Sequence, residues 1–208
     1  MPYFILFIGF VSAYLIGSIP TAYIFGKVLK GIDIRQYGSG NVGATNVFRV
    51  IGKTPGIIAL IIDALKGFIC VTYVASFFLY IVPVVRPELY KILIGLFSIA
   101  GHNWTVFLKF KGGKGVATSA GVAIGLIPKI FWLGFLVWLV VFFVTGFVSL
   151  SSIIAVISVP ILTLAFGQPG EIVVFMCLLC LVIVYKHRSN IKRLHNGEEK
   201  RISFFKRR

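Results

Sequence analysis

Residues 130–170 read IFWLGFLVWLVVFFVTGFVSLSSIIAVISVPILTLAFGQPG, 41 consecutive positions without an Asp, Glu, Lys or Arg. An α-helix rises about 1.5 Å per residue, so about 20 residues cross the roughly 30 Å hydrocarbon core of a bilayer. Forty-one residues are too many for one crossing and right for two. Hydroxyls cluster at Val148-Ser149-Leu150-Ser151-Ser152, where the reading places the turn. Outward from this stretch, apolar runs recur. Residues 3–24, 54–80, 92–108, a short Gly/Ala-rich 115–128 and a final 171–186 complete an expected seven crossings.

The whole composition agrees. Apolar residues make up 58% of the 208 residues and charged residues 13%, with mean hydropathy +0.98. Soluble domains devote about a quarter of their residues to charge. Lys and Arg outnumber Asp and Glu 21 to 6, a net charge of +15. A soluble nucleic-acid-binding domain is excluded, because too little polar surface remains to cover it. The first run carries no basic flank before Lys27 and no small-residue cleavage site, so it predicts a retained anchor, not a signal peptide. Cys70, Cys177 and Cys180 all lie in apolar runs and read as packing residues, and no metal is assigned.

Positive charge sets the expected orientation. Five basic residues fall in 27–53, three in 109–114 and nine from Lys186 onward. An odd number of crossings puts these 17 of 21 on one face. The expectation is therefore an all-α polytopic membrane protein with its N-terminus outside and its C-terminus cytoplasmic. Residues 1–208 form one domain, with 187–208 its basic cytoplasmic tail.

Polar chemistry collects in the same three segments. Residues 37–49 read YGSGNVGATNVFR: glycines free the backbone to turn, Ser39, Gly40, Asn41, Thr45 and Asn46 offer donors, and Arg49 offers a planar fork for phosphate. The G-x-G-x-x-G within it follows a membrane helix instead of a strand, which rules out a dinucleotide fold. After Gly101-His102-Asn103-Trp104, Phe110-Lys111-Gly112-Gly113-Lys114-Gly115 forms a compact cationic nest at the start of a helix. It cannot be aligned to a Walker A loop. In the tail, His187, Asn190 and Ile191 share a face if the last helix continues, and Glu199 can pair with neighbouring bases. Asp63 and Lys66, three apart within a span, are expected to pair and so lower the cost of burial. These segments imply a phosphate-type anion site above hydrocarbon, served by an anionic or lipidic ligand.

The motifs, in order, are GSGNVGATNVFR (38–49), Asp63-x-x-Lys66-Gly67, Gly101-His102 with FKGGKGVAT (110–118), Val148-Ser-Leu-Ser-Ser152, and His187-Arg-x-Asn-Ile-x-Arg-Leu-x-x-Gly-x-Glu199. With them the chain closely resembles the bacterial membrane glycerol-3-phosphate acyltransferases that use acyl phosphate, the PlsY family, from Ser18-Ile-Pro20 to about Glu199. The resemblance implies a seven-helix bundle in the bacterial inner membrane with a cytoplasmic active site. It implies acyl transfer from acyl phosphate to the 1-hydroxyl of glycerol 3-phosphate, giving lysophosphatidic acid and phosphate without a cofactor. Expected partners are the two substrates, membrane lipid and the enzymes that supply acyl phosphate, with no nucleic acid.

By motif match, the resemblance implies that Ser39, Thr45, Arg49, Lys111 and Lys114 hold phosphate. Gly112, Gly113 and Gly115 shape their loop. His187, Asn190 and a serine among Ser149–Ser152 position substrate, while Asp63, Lys66, His102 and Glu199 line the site or support it. The His-x-x-x-x-Asp dyad of thioester-using acyltransferases is absent: Phe107, Lys192 and Lys200 stand five places after His102, His187 and His195. Proton transfer to a substrate phosphate oxygen is therefore favoured, with His187 as base the alternative. An organophosphate transporter or binding protein is the competing class. It would carry pseudo-symmetric halves and polar groups near the midplane, whereas here they gather at one face.

Overall fold

The computed structural model describes residues 2–202, so Lys206, Arg207 and Arg208 at the end of the basic tail lie outside the described residues. The described residues contain helices and no strand. Contacts gather the chain into two compact units, Met1–Leu126 and Ile127–Arg208.

The first unit holds α1 (Pro2–Ser18), α2 (Thr21–Lys30), α3 (Ala44–Val50), α4 (Lys53–Ile69), α5 (Ala75–Ile81), α6 (Pro87–Asn103) and α7 (Val116–Leu126). One π-helical segment, Cys70–Val74, joins α4 to α5. Helix α1 packs on α6 and α4 on α7. Glycine makes both approaches possible. A Cβ on Gly17 would strike the Ser98 carbonyl, and one on Gly101 would strike that of Tyr14. Gly67 and Gly121 stand in the same relation to the carbonyls of Thr118 and Ala64. Hydrocarbon supplies no hydrophobic drive between helices, so close backbone packing of small residues replaces it.

The expected single helix over 3–24 is broken. Helix α1 ends at Ser18 and α2 restarts at Thr21. Pro20 has no N–H to continue the ladder, and its ring disfavours helical geometry at Ile19. The third run also differs from expectation. Its helix begins at Pro87, a residue suited to a first turn, and stops at Asn103, leaving 104–108 to a separate turn.

The second unit holds α8 (Pro128–Thr145), α9 (Val148–Ala165), α10 (Gly170–Lys186) and α11 (Arg188–His195). The turn expected at Val148–Ser152 falls two residues earlier. Gly146 ends α8 in the left-handed region at φ 73°, so the serines enter the first turns of α9. Gly146 also accepts Ile202 N at 2.9 Å, which ties the chain after α11 back to this turn. Helix α11 departs from α10 at 56°.

Among the described residues, five stretches are long and apolar enough to cross a membrane: Pro2–Lys30, Lys53–Ile81, Pro87–Leu108, Pro128–Thr145 and Val148–Ala165. The bent pair Gly170–Lys186 and Arg188–His195 makes a sixth if taken as one span, and Val116–Leu126 is a shorter apolar helix. Large apolar side chains such as Phe143, Val144, Leu164 and Leu181 are exposed along these helices, as a lipid-facing surface requires.

Candidate functional site: two glycine-rich loops and a carboxylate junction

In the first unit, α2 closes on Gly31 in the left-handed region. Asp33 then caps the turn Ile34–Gln36, accepting from Arg35 N and clasping the Arg35 guanidinium at 2.6 Å. The hydrogen-bonded guanidinium holds the Asp33 carboxyl down at about 2. Arg35 also lies over the Tyr23 ring. The loop that follows turns at Gly38 (φ 64°) and Gly40 (φ 70°). Asn46 is its template. Buried to 2% exposure, its Oδ1 accepts from Ser39 N at 2.9 Å, and its Nδ2 donates to Ile34 O at 3.2 Å and Tyr37 O at 3.1 Å. An amide with both donors and its carbonyl engaged in the loop shapes that loop. Ser39 and Gly40 are exposed, and Asn41, Thr45 and Arg49 half-buried. Thr45 and Arg49 stand four apart on α3, on one face.

The second loop hangs from the end of α6. Thr105 O accepts Phe110 N at 2.9 Å, and His102 O accepts Gly113 N at 3.0 Å. Lys109 and Phe110 both hold positive φ, 53° and 60°, where non-glycine residues are uncommon. Gly112 and Gly113 leave no room for side chains. A Cβ on Gly112 would strike His102 O, and one on Gly113 the His102 ring at Nε2. Gly115 (φ 81°) turns the chain into α7 against the Asn103 amide. Lys111 is exposed and Lys114 half-buried.

Beneath these loops Lys66 and Asp63 are both buried and paired at 2.6 Å. Thr21, which the sequence reading did not single out, donates to Asp63 Oδ1 at 2.9 Å. His102 Nδ1 stands 3.9 Å from the same oxygen, too far for a hydrogen bond. A small cleft is lined by Gly17–Thr21, Val42, His102, Thr105 and Gly113. The proline inside an apolar run was the available signal for this cleft.

In the second unit the expected residues meet at a carboxylate. Ser149 Oγ and Asn190 Nδ2 each donate to Glu199 Oε1 at 2.8 Å, and Arg193 Nε donates to Oε2 at 2.7 Å. Burial alone would raise the Glu199 carboxyl. The bonds from Arg193, Asn190 and Ser149 overcome it and hold the group below its ordinary value. His187 is the hinge between α10 and α11, with Nδ1 against Ile183 O at 2.8 Å. A carbonyl only accepts, so Nδ1 carries a proton there. Ser152 Oγ donates to Val148 O and accepts from Trp138 Nε1. The face expected to join His187, Asn190 and Ile191 is not formed: His187 and Asn190 are buried while Ile191 is 41% exposed, because the helix bends at His187. No cluster of three or more metal-ligating side chains occurs among the described residues.

A multi-span helical membrane protein with two glycine-rich, cation-bearing loops is the class these features define. Residues 7–197 match the family model described as Glycerol-3-phosphate acyltransferase. The chain is 43% identical over 195 residues to glycerol-3-phosphate acyltransferase 2 of Moorella thermoacetica, covering 94% of this chain and 96% of that one. It is 46% identical over 194 residues to the glycerol-3-phosphate acyltransferase of Desulforudis audaxviator, covering 93% and 94%. Two crystal structures of PlsY (YgiH), an integral membrane glycerol 3-phosphate acyltransferase, are similar at 39% identity. The glycerol 3-phosphate form has a TM-score of 0.86 over 95% of this chain and 96% of that one. The lysophosphatidic acid form has 0.83 over 95% of each. The chain belongs to the glycerol-3-phosphate acyltransferase family and is an integral membrane protein of PlsY type.

Proposed function

We propose that the acyl donor is acyl phosphate and that the chain transfers its fatty acyl group to the 1-hydroxyl of glycerol 3-phosphate. The hydroxyl oxygen attacks the carbonyl carbon and the bond from that carbon to the phosphate oxygen breaks. The hydroxyl proton leaves on a phosphate oxygen, so the products are lysophosphatidic acid and inorganic phosphate. An acyl phosphate is already activated. The protein needs only to neutralise the leaving phosphate and align the hydroxyl.

One observation carries the choice of donor: the acid nearest His102 is already engaged by Lys66 and Thr21, and His187 turns Nδ1 to a main-chain carbonyl. Asp63 is bonded by Lys66 and Thr21 and lies beyond hydrogen-bond reach of His102. His187 directs Nδ1 to a main-chain carbonyl, where a triad-type base would present it to a carboxylate. In this reading Ser39, Gly40, Asn41, Thr45 and Arg49 receive one phosphate, and Lys111–Gly115 receive phosphate on the second loop. His187, Asn190, Ser149 and Ser152 serve positioning duties in the second unit. Initial rates of the purified protein with acyl phosphate and with acyl-CoA test the donor. Turnover is expected with the first, and activity confined to acyl-CoA would overturn the reading.

The same reading gives seven crossings, counting Val116–Leu126 and Gly170–Lys186. It places a single acyltransferase domain in the bacterial inner membrane with its N-terminus outside and its site cytoplasmic. The family match runs through both compact units, which supports one functional domain. Single cysteines at Tyr3 and Lys200, probed with a membrane-impermeant thiol reagent in intact cells, are expected to report opposite sides. Labelling from one side would mean an even count.

A further inference from the structure

Lys66 is buried at 4% exposure, and its ammonium has three donors for three acceptors: Ile19 O at 2.5 Å, Thr21 Oγ1 at 2.6 Å and Asp63 Oδ1 at 2.6 Å. Plain stability explains this poorly, because a buried ion pair is often no better than apolar residues of the same volume. What the ammonium does locally is give a second partner to Ile19 O, a carbonyl that the Ile19–Pro20 break takes out of the helix ladder and that also accepts Thr21 N at 3.0 Å. The neighbouring freed carbonyl, Ser18 O, accepts from Thr105 Oγ1 at 2.6 Å. Two more bonds tie the same ends together: Tyr14 Oη donates to Trp104 O at 2.7 Å, and Ser18 Oγ to Gly101 O at 3.3 Å. The segment 101–105, fixed in this way to the broken helix, carries the glycine-rich loop through His102 O to Gly113 N and Thr105 O to Phe110 N.

We infer that the Ile19–Pro20 break is the mount on which the Lys111–Gly115 loop is set, with Lys66 and Thr105 as its two positioning residues. This rests on the reading of that loop as a phosphate site. Neither side chain touches substrate. Each fixes one freed carbonyl of the break, and the break fixes segment 101–105, from which the loop hangs.

The test measures kcat, KM for each phosphate-bearing substrate and melting temperature on the full-length protein in detergent, for Thr105→Val, Thr105→Ser, Lys66→Met and Lys111→Ala. Thr105→Val is expected to raise KM for at least one substrate roughly tenfold while kcat stays within about threefold. Thr105→Ser, which keeps the hydroxyl, should restore KM, and Lys66→Met should act in the same direction as Thr105→Val and more strongly. A lowered melting temperature with unchanged KM in Thr105→Val, or a serine variant no better than valine, overturns the inference. If Lys66→Met does not fold, the Thr105 pair decides alone. A raised KM in Lys111→Ala with none in Thr105→Val sinks the mount and spares the site. Unchanged KM in Lys111→Ala overturns the phosphate-loop reading, and the mount with it.

Discussion

The glycine-rich loops of the first unit and the Glu199 junction of the second are both dense in polar groups, but they spend them differently. In the junction, one carboxylate gathers a hydroxyl, an amide and a guanidinium. Its charge is answered within the protein, as buried charge must be. In the loops the shaping is done by backbone: Gly38, Gly40 and Gly115 at positive φ, the Asn46 amide, and the carbonyls of His102 and Thr105. The acids of the first unit are bonded to near neighbours, Asp33 to Arg35, Asp63 to Lys66 and Glu88 to Lys91. Arg49, Lys111 and Lys114 lie in stretches of sequence, 37–49 and 110–118, that contain no Asp or Glu. A region rich in cations and shaped by main chain is suited to receive an anion. A region whose carboxylate is already satisfied is suited to hold helices in register.

This contrast orders the expected effects. Arg49→Ala should act most strongly, lowering kcat/KM for glycerol 3-phosphate roughly 100-fold if the guanidinium meets phosphate. Arg49→Lys should recover only part, since an ammonium lacks the planar fork. Steady-state kinetics on folded protein settle this, and unchanged constants for Arg49→Ala would count against the loop as anion site. Glu199→Gln should instead show chiefly in stability, costing about 2 kcal/mol from three bonds lost or weakened. Its pH dependence has a definite sign. A carboxyl held below its ordinary value stabilises the fold above the ordinary carboxylate range, and that contribution fades as pH falls through the depressed value. Thermal unfolding of Glu199→Gln should accordingly lose the acid-side decline tied to this group. Ser152→Ala removes only a bond to its own helix and one from Trp138, so its loss should be smallest, about 0.5–1 kcal/mol. A Glu199→Gln protein with wild-type stability and abolished chemistry would reverse the division of labour.

Much of this was legible in the sequence because burial in lipid is written directly in composition. The apolar runs located the helices, and the spacing of Asp63 and Lys66 foretold their pairing. What escaped the sequence were long-range partners and the double use of polar groups. Nothing in the order of residues says that Thr21 meets Asp63 or that Thr105 meets Ser18 across 87 positions. Asn46 has the same amide whether it faces a ligand or closes its own loop, and only the fold decides. The serines of 149–152 suggested a turn because hydroxyls favour helix ends, yet Gly146, with its access to left-handed geometry, takes the chain around two residues earlier.

The central claim is that acyl transfer here needs no base from the protein. The pH–rate profile of His187 variants tests it most directly. His187→Asn places an amide donor near the position of Nδ1 and so keeps the bond to Ile183 O, while His187→Ala removes it. With acyl phosphate as donor, His187→Asn should retain at least about a tenth of wild-type kcat, well above His187→Ala, and no rate limb near the ordinary imidazole pKa of about 6.5 should vanish with the ring. If His187→Asn is as inactive as His187→Ala and that limb disappears from the residual rate, the histidine is the base and the account is wrong.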